Sequence, residues 1–224
     1  MRMTTLLAAA ALTLAGASAA NAGIAMSFAD PIPGRQLHSQ ENGAGAGVAL
    51  LTYDQNAVIS FLFDASEMGA GQTVFANARM EMNLALGAAT TNLGVTTAPV
   101  TGSFTIYDMS SASRVDIITG TAQLGSYVRI GNTNSLLFSD PDFEYTAGPA
   151  LAGILPSGSV FADPTEGVFT LTAITPTSFM NPNGTFKTFD ANASFTGNAE
   201  VVPAPGALAL AGLGTLTLIR RKRR

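Results

Sequence analysis

Alternation of apolar and polar residues dominates the middle of the chain. It is clearest from Thr73 to Leu86, where one parity carries polar residues such as Arg79, Glu81 and Asn83. The other parity is apolar throughout: Val74, Ala76, Ala78, Met80, Met82, Leu84 and Leu86. A period of two places these residues on one face of a β-strand, whereas a helix would mix the charges with the methionines. The pattern therefore predicts a half-buried strand.

Shorter segments of the same kind follow one another along the chain. We predict further strands at Val48–Tyr53, Ala57–Asp64, Gly102–Tyr107, Val115–Ala122, Tyr127–Ile130, Ser135–Phe138, Phe143–Thr146, Val168–Thr175 and Lys187–Thr196. Clusters of Gly, Asn, Pro and Ser separate them, and these residues are typical of turns. Short strands with regularly placed turns indicate an all-β fold. The sequence thus predicts an antiparallel β-sandwich or jelly-roll-like ectodomain over residues 23–200.

The first 22 residues depart from this alternation. Arg2 precedes an apolar run from Leu6 to Ala17, and the small residues Ala20-Asn21-Ala22 come after it. A basic start, a short apolar segment and an A-x-A exit are typical of a secretory signal peptide. We expect residues 1–22 to form a signal helix that engages the Sec machinery. Signal peptidase would then cut between Ala22 and Gly23.

Residues 201–224 form a third segment. The run Val202-Pro203-Ala204-Pro205 precedes an apolar block at 206–219, and the chain ends in five basic residues: Arg220, Arg221, Lys222, Arg223 and Arg224. As a helix the block is about 21 Å long, short of the roughly 30 Å hydrocarbon core of a bilayer. Snorkelling basic side chains and local thinning of the bilayer close that gap. We predict one transmembrane helix at about 206–219, with its basic cluster held on the cytoplasmic side as a stop-transfer signal.

This tail resembles the sorting signal of the PEP-CTERM exported proteins of Gram-negative bacteria. C-terminal motifs of this kind also carry the name of ice-binding proteins. The family pattern is Val-Pro-Glu-Pro, then a short apolar helix, then an Arg cluster, and here Ala204 stands where the family usually has Glu. The resemblance implies processing by exosortase, a membrane enzyme that recognises the Pro-containing motif and cuts near it. It also implies transient residence in the inner membrane, followed by release to the cell surface or to extracellular polysaccharide.

Composition and charge exclude several kinds of functional site and partner. The 224 residues carry a net charge of −4, with no Cys, no Trp and one His. These counts exclude disulfides, thiolate metal sites, cysteine nucleophiles and multi-histidine centres. Between Gly23 and Val202 five basic residues face fifteen acidic ones, so this segment carries −10. An acidic domain is not expected to bind nucleic acid, which requires a basic patch.

Candidate chemistry is sparse. Asp140, Asp142 and Glu144 alternate in one short segment, and oxygen ligands of this kind suit calcium, although a solvated turn explains them as well. No other cofactor is predicted. His38 adjoins Ser39, but there is no Gly-x-Ser-x-Gly elbow around any serine, so we expect a surface histidine and no catalytic residue. The pairs Thr119-x-Thr121 and Thr170-x-Thr172 each place two hydroxyls on one strand face; we interpret them as ordinary strand residues.

Three functions remain open at this point. The first is a non-enzymatic cell-surface or extracellular-matrix protein, sorted by exosortase and associated with exopolysaccharide or biofilm. The second is a secreted polysaccharide-active hydrolase, which would need a cleft with converging carboxylates. The third is a carbohydrate-binding or ice-binding adhesin, which would present a flat, ordered face of threonines or aromatic rings.

Overall fold

The structure is a computed structural model, and it describes residues 22–30, 34–41, 49–130, 135–140, 143–177, 181 and 185–202. Its regular elements are two 3₁₀ turns, Ser66–Met68 and Pro149–Leu151, and a set of β-strands. The strands are Ala22–Ala29 (β1), Leu37–Glu41 (β2), Ala49–Tyr53 (β3), Ile59–Ala65 (β4), Gly71–Leu86 (β5), Thr90–Asn92 (β6), Val95–Asp108 (β7), Val115–Ile130 (β8), Ser135–Asp140 (β9), Glu144–Ala147 (β10), Val160–Thr175 (β11) and Phe189–Val202 (β12). The all-β prediction is confirmed.

The strands form one antiparallel sheet that closes on itself. β1 and β2 lie end to end along β12, β3 and β4 lie end to end along β5, and β9 and β10 do so along β8. The ring then runs from β12 through β1/β2, β3/β4, β5, β7, β8 and β9 to β11, which pairs with β12 again. The structure therefore has one closed sheet in place of the stacked sheets of a sandwich or jelly-roll. Alternation specifies which residues face inward, and it does not specify whether the edges of a sheet meet.

A β-bulge changes the inward face of β5 partway along its length. On β5, Phe75 and Ala78 have two residues between them. The two β4 residues that lie opposite them have only one residue between them, so β5 carries the extra residue. An extra residue in one strand reverses the parity of the side chains beyond it. The alternation prediction is accordingly confirmed for Ala78–Leu86, where the even positions are buried. It is wrong for Val74, which is 58% exposed, and for Ala76.

Aromatic rings fill the interior of the closed sheet. Phe104 lies with its ring centroid 5.2 Å from that of Phe169, 5.3 Å from Phe195 and 5.7 Å from Phe143, all at steep angles. Phe28 of β1 stacks on Phe195 at 6.0 Å. Edge-to-face and offset contacts at these distances add to the stabilisation that burial itself provides. These five phenylalanines, called here the phenylalanine core, join strands from both halves of the chain.

Glycines make room for some of these rings. A Cβ atom on Gly167 would lie 2.1 Å from Cδ2 of Phe143, and one on Gly197 would lie 2.7 Å from the hydroxyl of Tyr145. That hydroxyl donates a hydrogen bond to the Glu166 carbonyl at 2.8 Å. The two glycines are directly opposite each other on β11 and β12. The interior therefore depends on small residues at this level as much as on large ones.

A carboxyl group secures β1 at the point where it leaves β12. Asp30 accepts one hydrogen bond from the hydroxyl of Tyr53 and another from the Ala193 N–H at 2.7 Å. Its own N–H donates to the Ala193 carbonyl at 3.1 Å. Burial raises the pKa of Asp30 more than these hydrogen bonds lower it, and burial also raises the pKa of Tyr53.

Strand boundaries and number differ from the sequence prediction in two ways. Val115–Ala122 and Tyr127–Ile130, predicted as separate strands, are parts of the continuous β8. β1, β2 and β6 were not predicted, although Ile24, Met26 and Phe28 alternate with smaller residues along β1. Within the described ranges, no helix has the length and apolar character that crossing a membrane requires. The predicted signal helix and the predicted helix at 206–219 lie outside those ranges.

Candidate functional site

The first and last strands of the closed sheet end side by side. β1 and β12 are antiparallel, with Ala22 opposite Val201 and Gly23 opposite Glu200. The predicted signal cleavage position therefore lies next to the start of the predicted sorting motif, Val202. We call this region the terminal junction and define it as residues 22–25, 64–67 and 198–202.

A shallow cavity of about 370 Å³ opens at the terminal junction. Its polar lining consists of Gly23, Asp64, Ser66, Glu67, Asn198 and Glu200, and none of the described residues that line it is basic. The carboxyl groups of Asp64, Glu67 and Glu200 thus surround the N-terminal end of β1. Such a site favours a positively charged group over an anion.

Asp64 holds the turn that forms one wall of this cavity. Its Oδ1 accepts hydrogen bonds from the Ser66 hydroxyl at 2.5 Å and from the Ser66 N–H at 2.9 Å, and its Oδ2 accepts one from the Gln72 amide at 2.8 Å. These hydrogen bonds lower the pKa of Asp64. The bond from the Ser66 hydroxyl has the largest effect, and the bond from the Gln72 amide comes next. The turn closes at Gly69, whose left-handed φ of 77° suits glycine and whose N–H donates to the Ser66 carbonyl.

Glu67 projects from this turn toward the beginning of β1. Its Oε2 accepts a hydrogen bond from the backbone N–H of Gly23 at 2.8 Å. A Cβ on residue 23 would lie 2.8 Å from the same oxygen, so a side chain there would displace the carboxylate. No sequence signal pointed to this contact, because the two residues are 44 positions apart and meet only when β1 pairs with β4.

The predicted processing residues are only partly described. Ala22 and Gly23 belong to β1, and Val202 is the last residue of β12, where it lies opposite Val160 of β11. The remaining ones lie outside the described residues: Ala20, Pro203, Ala204, Pro205, Arg220, Arg221, Lys222, Arg223 and Arg224.

The carboxylates considered for calcium are not gathered into one described site. Asp140 is buried, and its Oδ2 accepts hydrogen bonds from the Gln123 and Leu124 N–H groups at 3.1 and 3.3 Å. Glu144 is exposed on β10, and Asp142 lies outside the described residues. Among the residues that the structure describes, no group of three acidic or histidine side chains is placed to hold a metal ion. Asp140 stabilises the backbone of β8.

His38 lies on β2 and forms a hydrogen bond across to β12. Its Nδ1 is 2.7 Å from Oδ1 of Asp190, and both side chains are about half exposed. The neighbouring Ser39 is fully buried, and its hydroxyl has no hydrogen-bond partner within the structure. Consecutive strand residues point to opposite faces. The histidine therefore cannot activate the adjacent serine, so a hydrolase based on this pair is excluded.

Hydroxyl groups form short rows on the outer face of the sheet. Thr105, Thr119 and Thr146 are register neighbours on β7, β8 and β10, and Ser103 and Thr121 form the neighbouring row. The Thr105 and Thr119 hydroxyls are 3.0 Å apart. The second threonine pair, Thr170 and Thr172, lies on β11 beside polar residues of β12. By contrast, every aromatic side chain that the structure describes is buried or partly buried.

Comparisons of the chain with protein-family models, with curated proteins and with solved structures gave no match. The geometry of the terminal junction and of the outer sheet face is therefore what bears on function.

Proposed function

We propose that this chain is a non-enzymatic exported protein that exosortase sorts to the cell surface or extracellular matrix. Residues 1–22 act as the signal peptide, residues 23–200 as the ectodomain, and residues 201–224 as the sorting signal. In this scheme the Sec machinery and signal peptidase act first, and the tail helix holds the chain transiently in the inner membrane.

One observation carries the proposal: β1 and β12 pair so that both predicted processing positions lie at the same rim of the closed sheet. A domain tethered at one or both ends would keep this rim toward the membrane. The rest of the domain would face away, and both cleavage positions would stay near the membrane-bound enzymes.

The strand register supports the same scheme. Gly23, the expected new N-terminus, lies in β1, and Val202, the first residue of the predicted motif, lies in β12. Trimming to Gly23 would remove the Ala22–Val201 pair from the described sheet, and trimming before Val202 would remove the Val160–Val202 pair. The phenylalanine core lies wholly inside these limits, so the processed domain keeps its interior.

The partner we propose is extracellular polysaccharide, in exopolysaccharide or biofilm. The segment from Gly23 to Val202 carries −10, so a neutral polymer, or an anionic one bridged by divalent cations, suits it better than an anionic polymer alone. As a second candidate, the hydroxyl rows around Thr105 and Thr119 favour a carbohydrate-binding adhesin. Hydroxyls spaced along neighbouring strands offer both donors and acceptors to sugar hydroxyl groups.

Fractionation of a Gram-negative host tests the sorting proposal. The full chain and a chain lacking residues 203–224 would each be produced with and without an exosortase gene. We expect the full chain in the membrane fraction without exosortase and in the surface or medium fraction with it. The shortened chain should be soluble and exported in both hosts. If the full and shortened chains occupy the same fraction in both hosts, the tail is not a sorting signal.

A control separates anchoring from recognition. Replacing Pro203 and Pro205 with Ala should leave the chain in the membrane fraction even when exosortase is present, because the motif is lost and the anchor is kept.

A further inference from the structure

The N-terminal nitrogen of the processed domain would already have a carboxylate beside it. In the described chain the Gly23 nitrogen is an amide that donates to Glu67 Oε2 at 2.8 Å. Removal of residues 1–22 would turn that nitrogen into an α-ammonium group. We propose that the cavity at the terminal junction binds the new N-terminus of this chain, with Glu67 as its ion-pair partner. This inference rests on the proposed cleavage between Ala22 and Gly23.

The turn that carries Glu67 is held in place independently of the N-terminus. It is secured by the hydrogen bonds of Asp64 on one side and by the Gly69 and Ala70 N–H groups on the other. Met68, the next residue, packs against the hydrophobic core. The turn thus places the backbone of Glu67 beside β1, so that pairing has to order only the side chain.

Glycine at position 23 leaves room for the Glu67 carboxylate beside the nitrogen, and its backbone conformation does not call for glycine. The residue lies in an extended strand, and only residues with positive φ have a conformational need for glycine. A side chain would lie 2.8 Å from Glu67 Oε2 and would push the carboxylate away from the nitrogen. The small residue therefore serves the contact with Glu67.

The surrounding charge favours an ammonium over an amide. Asp64 and Glu200 line the same cavity, and Glu200 lies directly opposite Gly23 on β12. An opposite charge within a few ångströms stabilises the charged form of a titrating group. We therefore expect the pKa of the Gly23 α-amino group to lie above its ordinary value of about 7.7–8.0.

The test begins with the mature protein recovered after export of the full chain. N-terminal sequencing first establishes whether the chain begins at Gly23. Trace acetylation across a pH series, read by peptide mass spectrometry, then gives the pKa of the α-amino group. Lys187 is the one lysine between Gly23 and Val202, so it provides an internal reference amine. Glu67→Gln removes the partner charge, and Glu144→Gln on β10 removes an equal charge elsewhere.

We expect Glu67→Gln to lower the α-amino pKa by about half a unit or more, and Glu144→Gln to leave it unchanged. Thermal unfolding provides a second measurement and shows that the variant folds. A group whose folded pKa is raised stabilises the protein below the unfolded pKa, and this stability is lost as pH rises through the folded pKa. The Tm advantage of the wild type over Glu67→Gln should therefore be present at pH 6 and disappear above the α-amino pKa.

The two proposals fail in different ways. A mature chain that begins at a residue other than Gly23 overturns the cleavage position and, with it, this inference. A chain that begins at Gly23, with an α-amino pKa that is the same in the wild type and in Glu67→Gln, leaves the export proposal intact and overturns the ion pair.

Discussion

The phenylalanine core and the terminal junction are built on the same two strands, β1 and β12, and they differ in almost every physical respect. In the core, Phe28 and Phe195 from these strands pack with other rings and are nearly inaccessible to solvent. At the junction, about 17 Å further along the strands, Gly23 and Glu200 are partly exposed and lie among carboxyl groups. One strand pair therefore supplies both the stability of the fold and the polar rim at which we propose processing. Substitutions should separate these two contributions.

The largest effect is expected in the phenylalanine core. Phe104→Ala removes a ring that contacts three others, and it should lower the free energy of unfolding by about 3–5 kcal/mol. Urea unfolding measures this loss. Phe75→Ala, at a half-buried position on β5, is the matched control and should cost clearly less. Equal losses at the two positions would contradict the assignment of Phe104 to the centre of the core.

A smaller loss is expected where a glycine faces a ring. Gly167→Ala would place a methyl group 2.1 Å from Phe143, and overpacking of this kind costs about 1–3 kcal/mol. Gly153→Ala serves as the control, because nothing lies within 4 Å of a Cβ there. Chemical denaturation of both variants checks the difference. A neutral Gly167→Ala would mean that β11 and β10 shift apart readily at this level.

The two aspartates near β1 should respond to pH in opposite directions. Asp30 has a raised pKa, mainly because it is buried. Its contribution to stability is therefore fully present below the unfolded value of about 3.9 and is lost as pH rises through the folded pKa. The stability of the wild type relative to Asp30→Asn should fall as pH rises, which thermal unfolding at several pH values would show. Tyr53→Phe removes a hydrogen bond that lowers this pKa and should extend the fall to higher pH.

Asp64 at the terminal junction gives the smallest effect, and its sign is reversed. Hydrogen bonds from Ser66 and Gln72 lower its pKa, so its contribution is present above about pH 3.9 and is lost as pH falls through the folded pKa. Asp64→Asn should lower Tm slightly at pH 7 and should have no effect near pH 2. A pH dependence with the same sign as that of Asp30 would contradict the hydrogen-bond geometry described here.

The sequence predicted which strand residues face the interior better than it predicted that the sheet closes on itself. Alternation identified the strands from β3 to β12, apart from the short β6, and the inward residues of β5 beyond Ala78. It failed at Val74 because a bulge is a property of the pairing between β4 and β5, which one strand alone does not reveal. β1 was not predicted, although it alternates, since its eight residues are recognisable as a strand chiefly by their pairing with β12 at the other end of the chain. Closure of the sheet depends on the pairings of β12 with β1 and β2 and of β5 with β7, which join distant parts of the chain.

The candidate site was even less accessible to sequence reasoning. The processing positions at Ala22 and Val202 were predicted from local motifs, but their adjacency depends on strand pairing across the whole chain. The Gly23–Glu67 contact likewise has no local signature. Asp140 and Glu144 have a spacing that suits calcium ligands, but Asp140 accepts hydrogen bonds from the backbone of β8 instead.

The central claim is that the domain is trimmed at both ends of the terminal junction without losing a strand. Intact-mass measurement of the protein exported by a host that contains exosortase tests it most directly. The account predicts a chain that begins at Gly23 and ends at or near the motif that starts with Val202. A surface-located chain that retains residues 1–22, or that retains residues 206–224, would contradict it.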